Sequence, residues 1–165
     1  MAEGQTGFLR RKWQQDGLFA LCARMILGAI FIYASIDKIH YPAAFAEAVY
    51  NYQILPDALI NLTAIILPWL ELFVGITIIA GFWTRESAFL ILGMMVLFAV
   101  ALAYALAQGH EMTCGCFASQ EAVDQIGVHT LVRDIVWITL AAYVFLFDDG
   151  RYGVDGLLRR RRSHA

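Results

Sequence analysis

Residues 17–36 read GLFALCARMILGAIFIYASI, and Arg24 is the only charged side chain among them. About 20 residues at 1.5 Å per residue cross a ~30 Å hydrocarbon core. The run is too long for the apolar core of a cleavable leader, carries an internal arginine and lacks a convincing small-x-small cleavage site. It therefore reads as a first transmembrane helix (TM1) rather than a signal peptide. Three more apolar runs follow, over about 57–82, 87–107 and 130–147. The chain is 60% hydrophobic and 16% charged, where soluble domains carry roughly a quarter charged residues. Its mean hydropathy is +0.62. The reading is an all-α polytopic membrane protein, a four-helix transmembrane bundle in contact with the lipid bilayer. Residues 1–16 form an N-terminal tail, 17–148 one transmembrane domain, and 149–165 a basic C-terminal tail.

The segment 37–58 between the first two runs holds Asp37, Lys38, His40 and Pro42. Within it Phe45, Ala48, Val49 and Tyr52 recur at helical spacing, which predicts a short amphipathic helix lying at the membrane interface. Tyr41, Tyr50 and Tyr52 suit the interfacial aromatic belt. Pro68 lies inside the second run and removes one backbone donor, so a kink is expected near Ala64 to Pro68. Residues 83–86 are expected to form the turn to the third helix. Four spans put both termini on one side. Nine of the twelve lysines and arginines (Arg10, Arg11, Lys12, Arg85, Arg151 and Arg159 to Arg162) fall in the tails or the 2–3 connection. Under the positive-inside rule this predicts cytoplasmic termini and an outward-facing 108–129 connection. No basic stretch with interleaved aromatics of the kind that binds nucleic acid is present.

Charges inside a bilayer cost roughly 2.5–3.5 kcal/mol each on insertion scales, so each needs a reason. Counted from the ends of their runs, Arg24 and Glu71 lie at similar depths, about 10 and 16 Å, and are expected to pair as an intramembrane ion pair joining helices 1 and 2. Glu71 acting in proton or ligand handling is the alternative. Asp37 and Lys38 end TM1, and Arg133 and Asp134 begin the fourth helix. Both acid–base pairs, with His40, His110 and His129, belong to the outward face. Anchoring at the headgroups is the plain reading of Lys38, Arg133 and the histidines.

The connection 108–129 contains Thr113-Cys114-Gly115-Cys116-Phe117. An outward-facing compartment permits disulfides. Cys22 lies near the opposite end of TM1 and reads as a small apolar residue. A bridge between residues i and i+2 sits at the edge of disulfide geometry, and Gly115 supplies the backbone freedom it needs. It closes a minimal loop and so removes little chain entropy, whereas a strained, exposed disulfide is labile and oxidising. Arg133, Lys38 and the dipole of helix 4 would favour a thiolate. Cys114 and Cys116 are therefore a candidate redox pair, with Arg133, Asp134 and Lys38 as supporting groups. His110, Met112, Cys114 and Cys116 also form a set of soft ligands suited to copper(I) or zinc, although the spacing matches no closed zinc site.

These residues together resemble the MauE branch of the DoxX-like four-helix membrane proteins. The resemblance rests on Arg24, Asp37-Lys38-Ile39, Tyr52-Gln53-Ile54-Leu55-Pro56, Leu67-Pro68-Trp69-Leu70-Glu71, Cys114-Gly115-Cys116-Phe117 and Arg133-Asp134, spanning about residues 20–148. Ala118 stands where glycine is expected. The resemblance implies a bacterial inner-membrane protein linked to maturation of methylamine dehydrogenase, whose small subunit is rich in disulfides. It also implies thiol or sulfur redox chemistry coupled to a quinone. The expectation is a thiol–disulfide redox protein acting with a periplasmic, thioredoxin-like partner. A non-enzymatic assembly or anchoring subunit and a copper-binding protein are the alternatives. A single outward cysteine pair counts against a complete oxidase, since relays from protein to quinone commonly use two.

Overall fold

The structure is a computed structural model. It describes residues 3–108, 128–148, 150 and 152–156, with side chains from residue 17 onward except at 128 and 129. The described residues form five helices: α1 (Glu3–His40), α2 (Pro42–Asn51), α3 (Asp57–Ala80), α4 (Thr84–Ala107) and α5 (Val128–Phe147). Four segments are long and apolar enough to cross a membrane: Gly17–His40, Asp57–Ala80, Thr84–Ala107 and Thr130–Phe147. The four-span, all-α membrane architecture expected from the sequence is the one observed, with the short extra helix between the first two spans.

Local chemistry explains most of the boundaries. Tyr41 precedes a proline, which disfavours helical geometry there, and its φ of −122° and ψ of 61° break the chain between α1 and α2. Pro42 then occupies the first turn of α2, where a missing N–H costs nothing. Pro56 is extended and leads into α3, whose first turn carries Asp57 at the positive end of the helix dipole. The helix continues through the buried Pro68 to Ala80. Gly81 ends it at φ +68°, and the Phe82 N–H reaches back to the Thr77 carbonyl at 3.1 Å.

Three boundaries differ from the sequence reading. Helix α1 begins at Glu3, so it starts well before the apolar run at residue 17. It also continues through Asp37 and Lys38 to His40 instead of releasing them into a loop. Helix α4 begins at Thr84, inside the expected 83–86 turn. The last difference has a clear cause. Asp155 accepts hydrogen bonds from the Trp83 and Thr84 N–H groups at 3.3 and 3.1 Å and from the Thr84 hydroxyl at 3.2 Å. A carboxylate from the C-terminal segment thus caps the helix that its own sequence leaves uncapped.

The spans surround one core in the order α1, α3, α4, α5, with α5 returning to α1. Ala23, Leu27 and Phe31 of α1 meet Val74 and Ile78 of α3, Ala88 and Ile91 of α4, and Ala141 and Val144 of α5. The closest approach is between α1 and α3. A Cβ on Gly28 would lie 2.5 Å from Ile79 Cγ1 and 2.9 Å from the Gly75 carbonyl. Close backbone approach at small residues is how transmembrane helices gain contact where lipid supplies no hydrophobic drive. The outward side chains, Leu97, Val100, Ile65 and Leu146 among them, are apolar and exposed, as a lipid-facing surface requires. Helix α2 lies on α3, with Phe45 packed against Ala64.

Candidate functional site

The Gly28–Gly75 contact fixes the register of the antiparallel helices α1 and α3. Lys38 lies ten residues beyond Gly28 towards one end of the bundle, and Glu71 four residues from Gly75 towards the same end, an axial offset of about 9 Å. Side chains lean towards the N-terminus of their own helix. Lys38, near the C-terminus of α1, leans into the bundle, and Glu71 leans out to meet it. Lys38 Nζ is 2.8 Å from both Glu71 Oε1 and Oε2. The Lys38 and Glu71 side chains are only 9% and 12% exposed. The ammonium also stands 5.1 Å from the centre of the Phe45 ring on α2.

The expected Arg24–Glu71 pair is not formed. Arg24 is four residues from Gly28 in the opposite direction, so about 12 Å of helix rise separates the two positions, and their side chains lean apart. Counting from the ends of the apolar runs understated this distance, because α1 continues past both ends of its run. Arg24 instead turns to the C-terminal segment. Its Nη1 is 3.5 Å from Asp148 Oδ2, and its Nη2 donates to the Tyr152 carbonyl at 3.1 Å. The C-terminal segment reaches it because Gly81 and Gly153 touch backbone to backbone. A Cβ on either would lie 2.6 Å from the other's Cα.

Lys38 is thus not a headgroup anchor. Its charge is neutralised inside the bundle by Glu71. Arg133, with a one-third exposed side chain, and Asp134, almost wholly buried, form a second pair on α5 with Nη2 to Oδ1 at 3.5 Å. Oδ2 of Asp134 is buried with no hydrogen-bond partner among the described residues. Glu71, Arg133 and Asp134 line a half-open cavity of about 190 Å³ between the spans. The rest of its wall is apolar: Ile30, Phe31 and Ala34 from α1, Met95 and Phe98 from α4, and Trp137 from α5. All four spans therefore contribute to one chamber that is polar on one side.

Tyr52 belongs to this end as well. The sequence reading put it with Tyr41 and Tyr50 in the interfacial belt. Tyr41 and Tyr50 are exposed, but Tyr52 is buried and packs edge-on against Phe98 at 6.2 Å. Burial, and then the nearby Asp134 carboxylate, push its phenol above the ordinary tyrosine value, with Arg133 opposing them. Its position just past α2, in phase with Phe45, Ala48 and Val49, was the signal that could have assigned it to the interior.

His40 accompanies this end without joining the chamber. It is exposed, with Nδ1 2.9 Å from the Ile36 carbonyl. Cys22 is exposed on α1 close to Arg24, far along the helix from Lys38. Cys114, Cys116, His110 and Met112 lie outside the described residues, as does the His129 side chain. The segment that carries them joins Gln108, at the end of α4, to Val128, at the start of α5. That is the end of the bundle holding Lys38, Arg133 and Asp134.

Comparison with known proteins agrees with this architecture. The family model of the methylamine utilisation protein MauE matches residues 16–147. The chain is similar to the methylamine utilization protein MauE of Methylophilus methylotrophus, at 27% identity over 78% of this chain and 68% of that protein. The proteins of the same name from Methylorubrum extorquens and Paracoccus denitrificans are 34% and 28% identical over 57% of this chain, and the matches span about half, 51%, of their own length. No solved structure matches significantly. With four spans in order, buried charges at both ends of the bundle and a family match over most of its length, the chain belongs to the methylamine utilisation protein MauE family.

Proposed function

We propose that this protein is a membrane thiol–disulfide redox protein whose Cys114–Cys116 pair serves the maturation of a disulfide-bearing partner. The observation that carries this reading is the convergence of Lys38, Glu71, Arg133 and Asp134 at the end of the bundle from which the cysteine segment springs. Arg133 is the one-third exposed cation of the four. It lies at the start of α5, where the helix dipole also favours an anion, and a thiolate near it is stabilised relative to the thiol. Lys38 supports the site at one remove, by holding Glu71.

In the forward step a thiolate of a thioredoxin-like partner attacks the Cys114–Cys116 disulfide. A mixed disulfide forms, and the partner's second thiolate resolves it. The partner leaves oxidised and Cys114 and Cys116 remain as thiols, having taken up two electrons and two protons. A quinone would accept both, becoming quinol and restoring the bridge. The nine basic residues before the first span, in the first turn of α4 and after α5 favour an inner-membrane orientation with cytoplasmic termini and a periplasmic cysteine segment. The relatives' names point to methylamine utilisation, and maturation of methylamine dehydrogenase is the process the resemblance implies.

The test is thiol trapping of Cys114 and Cys116 in intact cells, read by mass spectrometry with and without respiratory inhibition. Inhibition is expected to shift the pair from oxidised to reduced. A pair that stays in one state throughout would sink the quinone-coupled reading. A Cys114→Ser, Cys116→Ser variant that still supports partner maturation would assign the chain to assembly or anchoring instead. Stoichiometric copper(I) on the reduced wild type, lost in that variant, would assign metal binding.

A further inference from the structure

On the lipid-facing outside of the bundle, at the end where α4 begins and α5 stops, an open groove of about 430 Å³ is lined by Arg85, Glu86, Phe89, Leu90 and Phe145. We propose that it holds a phospholipid whose headgroup carries both a phosphate and a primary ammonium, that is, a phosphoethanolamine lipid. The groove is graded as a lipid is. Arg85 is the second residue of α4, and Trp83, just before the helix, is exposed, as an aromatic side chain at the membrane–water interface is. Phe89 and Leu90 lie four and five residues beyond Arg85, about 6 to 8 Å deeper. They are 60% and 43% exposed, and the Phe89 ring centre is 5.9 Å from that of Phe145 on α5. The charged end of the groove suits a headgroup and the apolar part an acyl chain.

The two charges select the headgroup. Adjacent residues on a helix do not face each other, and neither Arg85 nor Glu86 has an ion pair or side-chain hydrogen bond among the described residues. The Arg85 guanidinium lies over the Phe145 ring instead, 5.2 Å from its centre. That contact holds it against the groove, whereas a cation that only snorkels extends away into water. Its N–H donors stay available to a phosphate. Glu86 lines the same groove as an acceptor that lacks a donor among the described residues. The Asp155 carboxylate at this end is already taken up by the α4 cap. An anionic headgroup satisfies Arg85 but is repelled by Glu86. A quaternary ammonium balances the charge of Glu86 but has no N–H to donate to it. A phosphate joined to a primary ammonium meets both side chains. The groove lies at the opposite end of the bundle from Lys38 and Asp134, and lipid binding there is independent of the thiol chemistry.

The experiment is native mass spectrometry of the full chain released from detergent and titrated with lipids of identical dioleoyl chains: phosphatidylethanolamine, phosphatidylcholine and phosphatidylglycerol. Water-soluble phosphoethanolamine is the headgroup-only control. Phosphatidylethanolamine is expected to bind about three- to five-fold more tightly than either of the others, the scale of an exposed charged pair, and the free headgroup not measurably. Glu86→Ala should erase that preference. Arg85→Gln should weaken all three lipids, and so should Phe89→Ala, which trims an exposed side chain of the apolar part. Circular dichroism checks that each variant is folded. Equal binding of the three lipids, or a preference that survives Glu86→Ala, would overturn the assignment. Tightest binding of phosphatidylglycerol would make Arg85 a plain basic anchor. Wild-type binding in Arg85→Gln, or free phosphoethanolamine binding as well as the lipid, would equally refute a phospholipid held in this groove.

Discussion

The Lys38–Glu71 pair offers the sharpest test of the architecture, because the structure and the depth count from the sequence name different partners for Glu71. Lys38 Nζ bridges both carboxylate oxygens at 2.8 Å, with side chains 9% and 12% exposed. Removing one member of such a pair strands a buried charge and typically costs about 3–5 kcal/mol, whereas replacing both by apolar residues of similar size is often nearly neutral. Lys38→Met and Glu71→Leu should each fall in the first range, and the double variant should lose far less than their sum. The resulting coupling energy of about 2 kcal/mol or more lies well above the ~0.3–0.5 kcal/mol within which distant sites add. The assay is reversible unfolding in mixed micelles of increasing denaturing detergent, followed by circular dichroism. A second cycle, Arg24→Met with Glu71→Leu, should be additive, because the two positions are separated by about 12 Å of helix rise. Additivity in the first cycle, or strong coupling in the second, would refute the register argued from Gly28 and Gly75.

That register makes its own prediction: Gly28→Leu should destabilise the same transition by at least the ~1–3 kcal/mol of an overpacked core, since its Cβ alone meets Ile79 at 2.5 Å. Wild-type stability in the variant would refute the contact. Asp155→Ala should cost about 1 kcal/mol, as lost caps do, and hydrogen exchange should speed up at the Thr84 amide; unchanged exchange would exclude the cap. Tyr52 keeps its proton when folded, while in the unfolded chain it titrates near pH 10. Its contribution is therefore fully present below about pH 10 and is lost as pH rises above it. Tyr52→Phe should flatten the fall in stability above that pH, and an identical slope in both proteins would count against the buried phenol.

Much of the fold was legible because the bilayer constrains it so strongly. Apolar runs long enough to span, in a chain with few charges, leave little choice but helices, and the turn chemistry at Pro42, Pro56 and Gly81 marks where they start and stop. The tertiary partners of the buried charges were less accessible. Depth counted from the end of an apolar run assumes that the run and the helix coincide, and α1 violates this at both ends. The true register comes from Gly28 meeting Gly75, which no local pattern discloses. The Asp155 cap was hidden for the same reason. It is supplied from 71 and 72 residues away, in a segment whose arginines made it read as a solvated tail. Tyr52 was the recoverable case, since its phase with α2 already placed it with Phe45 and Ala48.

The two ends of the bundle differ in how they treat buried charge, and this difference is the strongest reason to look for chemistry at the Lys38 end. At the Arg24 end the unmet atoms face one another: Arg24 Nη1 and Asp148 Oδ2 are 3.5 Å apart, and the C-terminal segment closes over them through the Gly81–Gly153 contact and the Asp155 cap. Such an arrangement joins elements and leaves no space for a substrate. At the Lys38 end, Lys38 and Glu71 satisfy each other, but Asp134 keeps a buried oxygen without a partner among the described residues, on a residue that also lines the cavity. A bundle built only for stability would gain by placing an apolar residue at 134 and closing that space, since a buried polar group without its bond and a void both cost free energy. Both are found at the end from which the Cys114–Cys116 segment emerges, which sets that end apart from the closed Arg24 end. Arg133 is one-third exposed, so Asp134→Leu strands no fully buried charge and should raise the unfolding midpoint of the protein. A variant less stable than wild type would show instead that Asp134 is a structural charge.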